Sequence, residues 1–260
     1  MKTEDQKDYV QSLERGLSVI LAFSDHHPQL TLTEVAELTG LSRPTVRRLL
    51  LTLEQLGYVR SEGRHFSLTP HVLALGYAYL SSLNLTQVAQ PYMEEVTKIT
   101  GQTCSLSALD GHDAVFVARV PAKQVMSVTL TTGTRLPAFA TSMGRVLLAG
   151  LPDHQLDEVL AGITVSPLTA HTVPDLATLR ERLAEVRRQG WALVDQEFEE
   201  GVRSLSAPVR DAGGRVIATL SMSVPARQYS IDDIKARLLP VIRDNAQEIS
   251  KRLGASFHRS

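Results

Sequence analysis

Basic and hydroxyl side chains are concentrated in one segment of this 260-residue chain, LTLTEVAELTGLSRPTVRRLLLTLEQLGYV. Its pattern predicts a helix that is capped by Thr33 and stops at Gly40, followed by a helix over 43–56 with Ser42 as its N-cap. The second helix has a single apolar stripe, formed by Val46, Leu49, Leu50, Leu53 and Leu56. Its remaining surface carries Arg43, Thr45, Arg47 and Arg48.

A helix with this surface is suited to DNA. An α-helix fits the major groove, where a guanidinium group can form two hydrogen bonds with guanine and a hydroxyl group can donate or accept. We expect Ser42, Arg43, Thr45, Arg47 and Arg48 to contact DNA, and we expect phosphate or minor-groove contacts from Thr31, Thr33, Arg64 and His65. The alternative is a solvated helix face on an ordinary helical bundle.

The charge distribution agrees with a DNA-binding segment. Residues 1–42 have seven acidic and three basic side chains, whereas 43–65 have five arginines and two glutamates. Because the chain as a whole has a formal charge of −1, the basic excess is local.

A second set of hydroxyl groups lies in the predicted strand 217–224. Side chains alternate along a strand, so Thr219, Ser221 and Ser223 share one face. That face is either exposed to solvent or is the floor of a cavity for a polar ligand. The residues alone leave both possibilities open.

The elements around these residues predict two domains. A helix over 12–23 precedes the segment, two strands at 58–60 and 65–68 form a β wing after it, and an apolar helix-length run follows at 71–83. Helices and hairpin-forming strands then alternate: helices over 86–100, 142–149, 153–160, 175–189 and 231–253, and strands over 103–109, 114–120, 192–195, 205–209 and 215–224. We therefore predict an α+β chain with a winged helix-turn-helix domain at 1–70, a linker helix at 71–84 and an antiparallel-sheet domain at 85–260.

Composition excludes several classes of protein. With 43% hydrophobic and 21% charged residues, the chain has the composition of a globular protein. The sequence has no apolar run long enough for a membrane span and no secretory signal at residues 1–10, so we expect a cytoplasmic protein without a membrane partner. A single cysteine excludes an internal disulfide and a cysteine-based zinc cluster, and the histidine spacing predicts no metal site. We expect no cofactor.

An enzyme is the main alternative from another class. Cys104 and His112 could act as nucleophile and base, but they lie on either side of a hairpin and no third group accompanies them. Ser142 lacks the first glycine of a nucleophile elbow. We therefore expect no catalytic residues.

Several segments resemble the IclR family of bacterial transcription regulators. They are SLERGLSVILAF, the helix-turn-helix segment, GYVRSEGRHFSLTPHVLALGYAYL and GTRLPAFATSMGRVLLA. The resemblance extends over nearly the whole chain. LDGHDAVFVARVP and TSMGRVLLA resemble the PcaR/PcaU/PobR branch. The resemblance implies a homodimer, often a dimer of dimers, that binds a palindromic or repeated promoter site, and RNA polymerase is a further partner if the protein is an activator. It also implies a GAF-like effector domain that responds to a small organic acid, in this branch during catabolism of aromatic acids.

The resemblance also implies the effector-binding residues. They are Thr141, Ser142, Met143, Asp195, Ser204, Ser221 and Ser223, with Arg119 as a cation for a second carboxylate. Some family members have cysteine at the position of Ser204 and an acidic residue at the position of Val194. The free N–H groups at the start of the helix near Ser142 would favour an anion. A C-terminal domain that only dimerises is the alternative, and titration with a ligand distinguishes the two.

Overall fold

The computed structural model describes residues 9–24, 27–75, 85–122 and 130–255, which fall into two compact units that divide after Leu83. Unit 1 contains the helices α1 (Gln11–Leu21), α2 (Leu32–Thr39) and α3 (Arg43–Gln55) and the strands β1 (Leu30–Thr31), β2 (Val59–Glu62) and β3 (His65–Leu68). The strands form an antiparallel sheet in the order β1-β3-β2. A 3₁₀ turn follows at Pro70–Val72. Residues 76–84, most of the predicted linker helix, lie outside the described residues.

One apolar core holds unit 1 together. Val19 of α1, Val35 of α2 and Val46 and Leu50 of α3 are fully buried in it. Leu56, which we predicted to be part of the apolar stripe of α3, is 57% exposed because the helix ends at Gln55 and Leu56 is its C-cap. The other stripe residues are buried or half-buried, so α3 is fixed with its opposite face outward.

The start of α2 differs from the prediction. Thr31, rather than Thr33, is the N-cap: its Oγ1 accepts a hydrogen bond from Glu34 N at 3.4 Å, and Glu34 Oε2 accepts one from Thr31 N at 2.7 Å. This reciprocal pair is a capping box, which the sequence Thr-x-x-Glu contains from Thr31 but not from Thr33. The predicted stop at Gly40 is present, with φ +67°.

Unit 2 begins with the helix α4 (Leu85–Thr100) and contains a six-stranded antiparallel sheet in the order β6-β5-β4-β9-β8-β7. The strands are β4 (Cys104–Asp110), β5 (Asp113–Val120), β6 (Arg135–Pro137), β7 (Ala192–Asp195), β8 (Val202–Arg210) and β9 (Val216–Pro225). A 3₁₀ turn at Ala138–Ala140 leads into the helices α5 (Ser142–Ala149), α6 (Asp153–Ala161) and α7 (Leu176–Gln189). The last elements are α8 (Ile231–Asp233), a π-helical turn (Ile234–Leu238) and α9 (Leu239–Arg252).

The two faces of this sheet differ in chemistry. Cross-strand pairs place Ser105 and Ser206 on either side of Ser221, and Ser204 beside Ser223, so neighbouring strands present a continuous set of hydroxyl groups on one face. The opposite face bears large buried residues: Leu106, Leu205, Leu220 and Met222. α5 packs over the hydroxyl face, because Ser142 Oγ lies 2.8 Å from Ser206 Oγ and Ser107 Oγ lies 3.2 Å from Met143 Sδ.

No helix of the described residues is both long enough and apolar enough to cross a membrane. The same residues contain no cluster of three or more His, Cys, Asp or Glu side chains that could hold a metal ion.

Candidate functional site

The basic surface of α3 is exposed. Arg43, Arg47 and Arg48 face solvent, and Thr45 is half-buried beside them with its Oγ1 2.9 Å from Ser42 Oγ. Within the described residues, no carboxylate lies within 4 Å of any of these three guanidinium groups. Since no protein anion neutralises them there, they are available to an anionic partner such as a nucleic acid.

The β wing provides a second exposed basic site. Gly63, with φ +65°, and Arg64 form the tight turn between β2 and β3, and Arg64 and His65 are both exposed. Arg60 is held within the wing, where its Nε donates to Ser67 Oγ at 3.0 Å. Arg64, by contrast, is exposed at the tip of the wing and has no ion-pair or hydrogen-bond partner among the residues that the structure describes.

The threonines near α2 have different environments. Thr31 lies opposite His65 in the β1–β3 ladder, and its backbone N–H and hydroxyl group are both engaged with Glu34. Thr33, on the first turn of α2, is half-buried. The helix start is thus a rigid part of unit 1 that positions α3.

A cavity of about 400 Å³ opens over the hydroxyl face of the unit 2 sheet. It lies among β4, β5, β8, β9, the start of α5 and the loop 196–201 between β7 and β8. Seven of the eight residues predicted for an effector line it: Arg119, Thr141, Ser142, Met143, Ser204, Ser221 and Ser223. The structure therefore brings these residues together around one space.

Asp195 is the exception, because it does not line this cavity. Side chains alternate along β7, so Val194 lines the cavity and Asp195 lies on the other face of the strand. There Arg203, its cross-strand neighbour, donates from Nε to Asp195 Oδ1 at 2.7 Å. Burial alone would raise the pKa of Asp195, but hydrogen bonds from Arg203 and Gln196 outweigh it and the pKa lies below its usual value.

Sequence reasoning missed more than half of the lining. The missed residues are Thr103, Ser105, Phe116, Pro121, Ala122, Leu130, Thr131, Thr132, Leu136, Val194, Phe198, Glu199, Val202 and Met222. The alternation that identified Ser221 and Ser223 would have identified Ser105 if the pairing of β4 with β9 had been known. The segments at 130–132 and 198–199 are loops with no periodic pattern.

Close packing fixes the start of α5. Thr141 is the N-cap and its Oγ1 accepts from Gly144 N at 3.2 Å. A Cβ at Gly144 would lie 2.2 Å from Ala138 Cα, so only glycine allows the helix to pack this closely on the 3₁₀ turn. Within the described residues, the backbone N–H groups of Ser142 and Met143 have no acceptor, and they are available to an anion in the cavity.

Arg119 is the cationic side chain of the lining. It is half-buried, its Cζ lies 5.1 Å from the centroid of the Phe116 ring, and its Nη1 donates to the carbonyl oxygen of Leu130. No carboxylate of the described chain lies within 4 Å of it, and burial lowers the pKa of the guanidinium group. A guanidinium group in this environment favours an anionic ligand.

A buried ion pair and several hydrogen bonds fix the conformation of the loop 196–201. Arg145, whose side chain is 4% exposed, donates from Nη1 and Nη2 to the carboxylate of Glu197 at 2.8 and 2.5 Å. Glu197 Oε2 also accepts from Val173 N at 3.2 Å. Gln196 has φ +60°, and its Oε1 accepts from Gly201 N at 3.0 Å across the loop. The loop therefore has a fixed shape where it borders the cavity.

Neither of the candidate nucleophiles is activated. Burial raises the pKa of the Cys104 thiol to about 12, so the thiolate is essentially absent at neutral pH. Ser142 is buried and its hydroxyl pairs with Ser206, which is not a base.

Comparison with known proteins places the two units in one family. The helix-turn-helix domain of IclR matches residues 12–63, and the C-terminal domain of the bacterial transcriptional regulator IclR matches residues 77–251. The chain belongs to the IclR family. The predicted family, the α+β fold class and the expectation that the chain is not an enzyme are confirmed: it is a transcriptional regulator with a helix-turn-helix DNA-binding domain and an effector domain.

The regulator's relatives match it along most of their length. The Pca regulon regulatory protein of Pseudomonas putida is 39% identical over 247 residues, which cover 95% of this chain and 85% of the relative. The p-hydroxybenzoate hydroxylase transcriptional activator of Acinetobacter baylyi is 38% identical over 94% of this chain and 92% of its own. An IclR homologue from Microbacterium hydrocarbonoxydans, crystallised with 4-hydroxybenzoate, superposes with a TM-score of 0.84 at 26% identity, over 94% of this chain and all of the homologue. These relatives confirm the resemblance to the PcaR/PcaU/PobR branch.

Proposed function

We propose that the regulator binds a small organic acid, aromatic or dicarboxylic, in the cavity of unit 2, and that this ligand alters its binding to, or activation of, promoters of aromatic-acid catabolic genes. The observation that carries the proposal is Arg119, a half-buried cation that lines the cavity without a carboxylate partner among the described residues. An acid would supply the missing anion.

The rest of the lining supports the same ligand class. The N–H groups at the start of α5 and the hydroxyl groups of Ser204 and Ser223 can donate to carboxylate oxygens. The hydroxyl groups of Thr141 and Ser221 donate to the carbonyl oxygens of Pro137 and Ser105 and add polar surface to the same lining. Phe116 and Phe198 supply aromatic surface for a ring. A volume of about 400 Å³ lies within the range of small-molecule sites. The similarity to the p-hydroxybenzoate hydroxylase activator and to the homologue crystallised with 4-hydroxybenzoate favours an aromatic acid.

Unit 1 would contact promoter DNA through α3. In this proposal Arg43, Arg47 and Arg48, with Ser42 and Thr45, enter the major groove, and Thr31, Thr33, Arg64 and His65 contact phosphates or the minor groove. Two copies of the chain would place their α3 helices about 34–36 Å apart, or a multiple of that distance, on a palindromic or repeated site. RNA polymerase would be a further partner if the protein is an activator, and the site of action would be the cytoplasm, where bacterial promoters are.

An apolar stripe on α1 supports a homodimer, which could pair further into a dimer of dimers. Leu13, Leu17 and Leu21 follow one another at helical spacing, and Leu13 and Leu21 are 63% and 80% exposed. Single exposed leucines are common, but an aligned set on one helix face favours a protein partner. A second copy satisfies this requirement with the same surface on both sides.

The effector proposal is tested by thermal denaturation of the full chain with protocatechuate, 4-hydroxybenzoate, β-ketoadipate, pyruvate and glyoxylate. A ligand at about 100 times its Kd adds about 2.7 kcal/mol of stability. We expect a selective shift that Arg119→Met abolishes and Ser221→Ala weakens, whereas Arg180→Met, which removes an exposed arginine of the same unit, retains it. If none of these acids shifts the transition, unit 2 is better explained as a dimerisation module.

A further inference from the structure

Three glutamates at the β7–β8 loop have three different environments. Glu197 is paired with Arg145, and Glu200 is exposed. Glu199 is half-buried and lines the cavity. Within the described residues, the Glu199 carboxylate has no ion-pair partner within 4 Å and no hydrogen bond. The cavity therefore contains a carboxylate that the described protein groups do not satisfy.

The position of Glu199 along the cavity wall is imposed by its loop. Arg145 and the backbone N–H of Val173 donate hydrogen bonds to the Glu197 carboxylate. Gln196 closes the loop, because its side-chain oxygen accepts a hydrogen bond from Gly201 N. Phe198 and Glu199 follow these anchors and both line the cavity. Glu199 is thus held at the cavity wall.

The cavity also contains Arg119, and the two charged groups do not pair with each other. The guanidinium nitrogens of Arg119 and the carboxylate oxygens of Glu199 lie more than 4 Å apart, since the two do not form an ion pair although both belong to the described chain. A ligand that satisfies both groups needs an anion for Arg119 and a hydrogen-bond donor for Glu199. A second carboxylate on the ligand would meet a like charge at Glu199 and would be disfavoured.

We propose that Glu199 is a specificity-determining residue that selects acids with one carboxylate and a separate hydrogen-bond donor, such as a phenolic hydroxyl group, and discriminates against dicarboxylates. This inference rests on the proposed effector function of the cavity. It narrows the ligand class from aromatic or dicarboxylic acids to hydroxy acids. The chain has Val194 on the strand before this loop, so in this cavity the acidic group is supplied by the loop rather than by β7.

The test uses three acids with one skeleton: 4-hydroxybenzoate, 4-methoxybenzoate and terephthalate. Their Kd values are measured by calorimetry with the full chain, with Glu199→Gln and with the matched control Glu200→Gln, which removes the same charge from an exposed neighbour. We expect the unsubstituted chain to bind 4-hydroxybenzoate at least about tenfold more tightly than either analogue, because one lacks the donor and the other adds a like charge. In Glu199→Gln the affinity for terephthalate should rise about tenfold, while the amide oxygen still accepts from the phenol.

The outcomes separate the two proposals. If Glu199→Gln changes the preference no more than Glu200→Gln does, or if the unsubstituted chain binds terephthalate as tightly as 4-hydroxybenzoate, the role of Glu199 is overturned and the effector function stands. If no variant binds any of the three acids and the acids of the thermal screen fail as well, both proposals are overturned. Melting temperatures without ligand show whether the variants fold, and since neither carboxylate has an ion-pair partner within the described residues we expect little change.

Discussion

Replacement of Glu197 by glutamine should destabilise unit 2 strongly. The change removes one negative charge and preserves shape, and the amide oxygen can still accept from Val173 N. Arg145 would keep its hydrogen bond to the carbonyl oxygen of Phe139, at 3.1 Å, but would lose its anion. Because the Arg145 side chain is only 4% exposed, water cannot replace the carboxylate.

The expected cost is about 3–5 kcal/mol, the usual penalty when one partner of a buried ion pair is removed. In a domain of about 150–250 residues each kcal/mol corresponds to about 2–4 °C, so the melting temperature should fall by about 6–20 °C. The single tryptophan, Trp191, directly precedes β7, so its fluorescence during urea unfolding reports on unit 2.

Asp157→Asn is the matched control. Asp157 pairs with Arg180 at 2.7 Å, but the two side chains are 61% and 50% exposed. Solvent screens such a pair, and its loss should cost no more than about 1 kcal/mol. If Glu197→Gln is as mild as Asp157→Asn, the Arg145–Glu197 pair does not stabilise unit 2 as we have argued.

Three further predictions concern DNA binding, a buried hydroxyl group and acid stability. Arg47→Ala should weaken specific DNA binding by about 1–3 kcal/mol if Arg47 contacts a guanine; a titration of a selected duplex at fixed salt measures this, and unchanged affinity would exclude the contact. Thr219→Val should leave the free energy of unfolding unchanged or raise it by about 1–3 kcal/mol, since the buried Thr219 Oγ1 has no hydrogen-bond partner among the described residues. Urea denaturation measures this, and a lower free energy of unfolding in the variant would indicate a partner such as a bound water. Asp195 has a lowered pKa in the folded chain, so its contribution is present above the unfolded value of about 3.9 and is lost as the pH falls through the folded pKa. Asp195→Asn should therefore be less stable than the unsubstituted chain at pH 7, with a gap that closes below about pH 4; a constant gap in melting temperature would contradict this.

Elements with their own start and stop signals could be predicted from the sequence. The helix over Ser142–Ala149 and the strand over Ala192–Asp195 have the predicted bounds, because a capping threonine precedes the first and a short apolar run that follows the helix-ending Gly190 marks the second. β1 and β6 were not predicted, since they are two and three residues long and exist only through pairing with β3 and β5. Such short strands have too few residues for a periodic signal.

The candidate cavity could be predicted only where a local pattern or the family resemblance indicated it. Ser221 and Ser223 follow from alternation along one strand. Arg119 was suggested as a cation for a carboxylate, but its burial beside Phe116 depends on tertiary packing. Glu199 lies in a loop whose conformation depends on the ion pair between Glu197 and Arg145. These two residues are far apart in the sequence, and no periodic pattern predicts their contact.

The backbone at Gln196 has a thermodynamic consequence for ligand binding. A non-glycine residue at φ +60° is costly, and here the protein's own groups maintain it through hydrogen bonds at both atoms of the side-chain amide and at the backbone N–H. The loop therefore does not have to become ordered when an effector arrives, and the entropy of fixing it has already been lost on folding. The free energy that an effector gains from contacts with Phe198 and Glu199 is therefore not reduced by a cost of ordering the loop, as in a preorganised receptor.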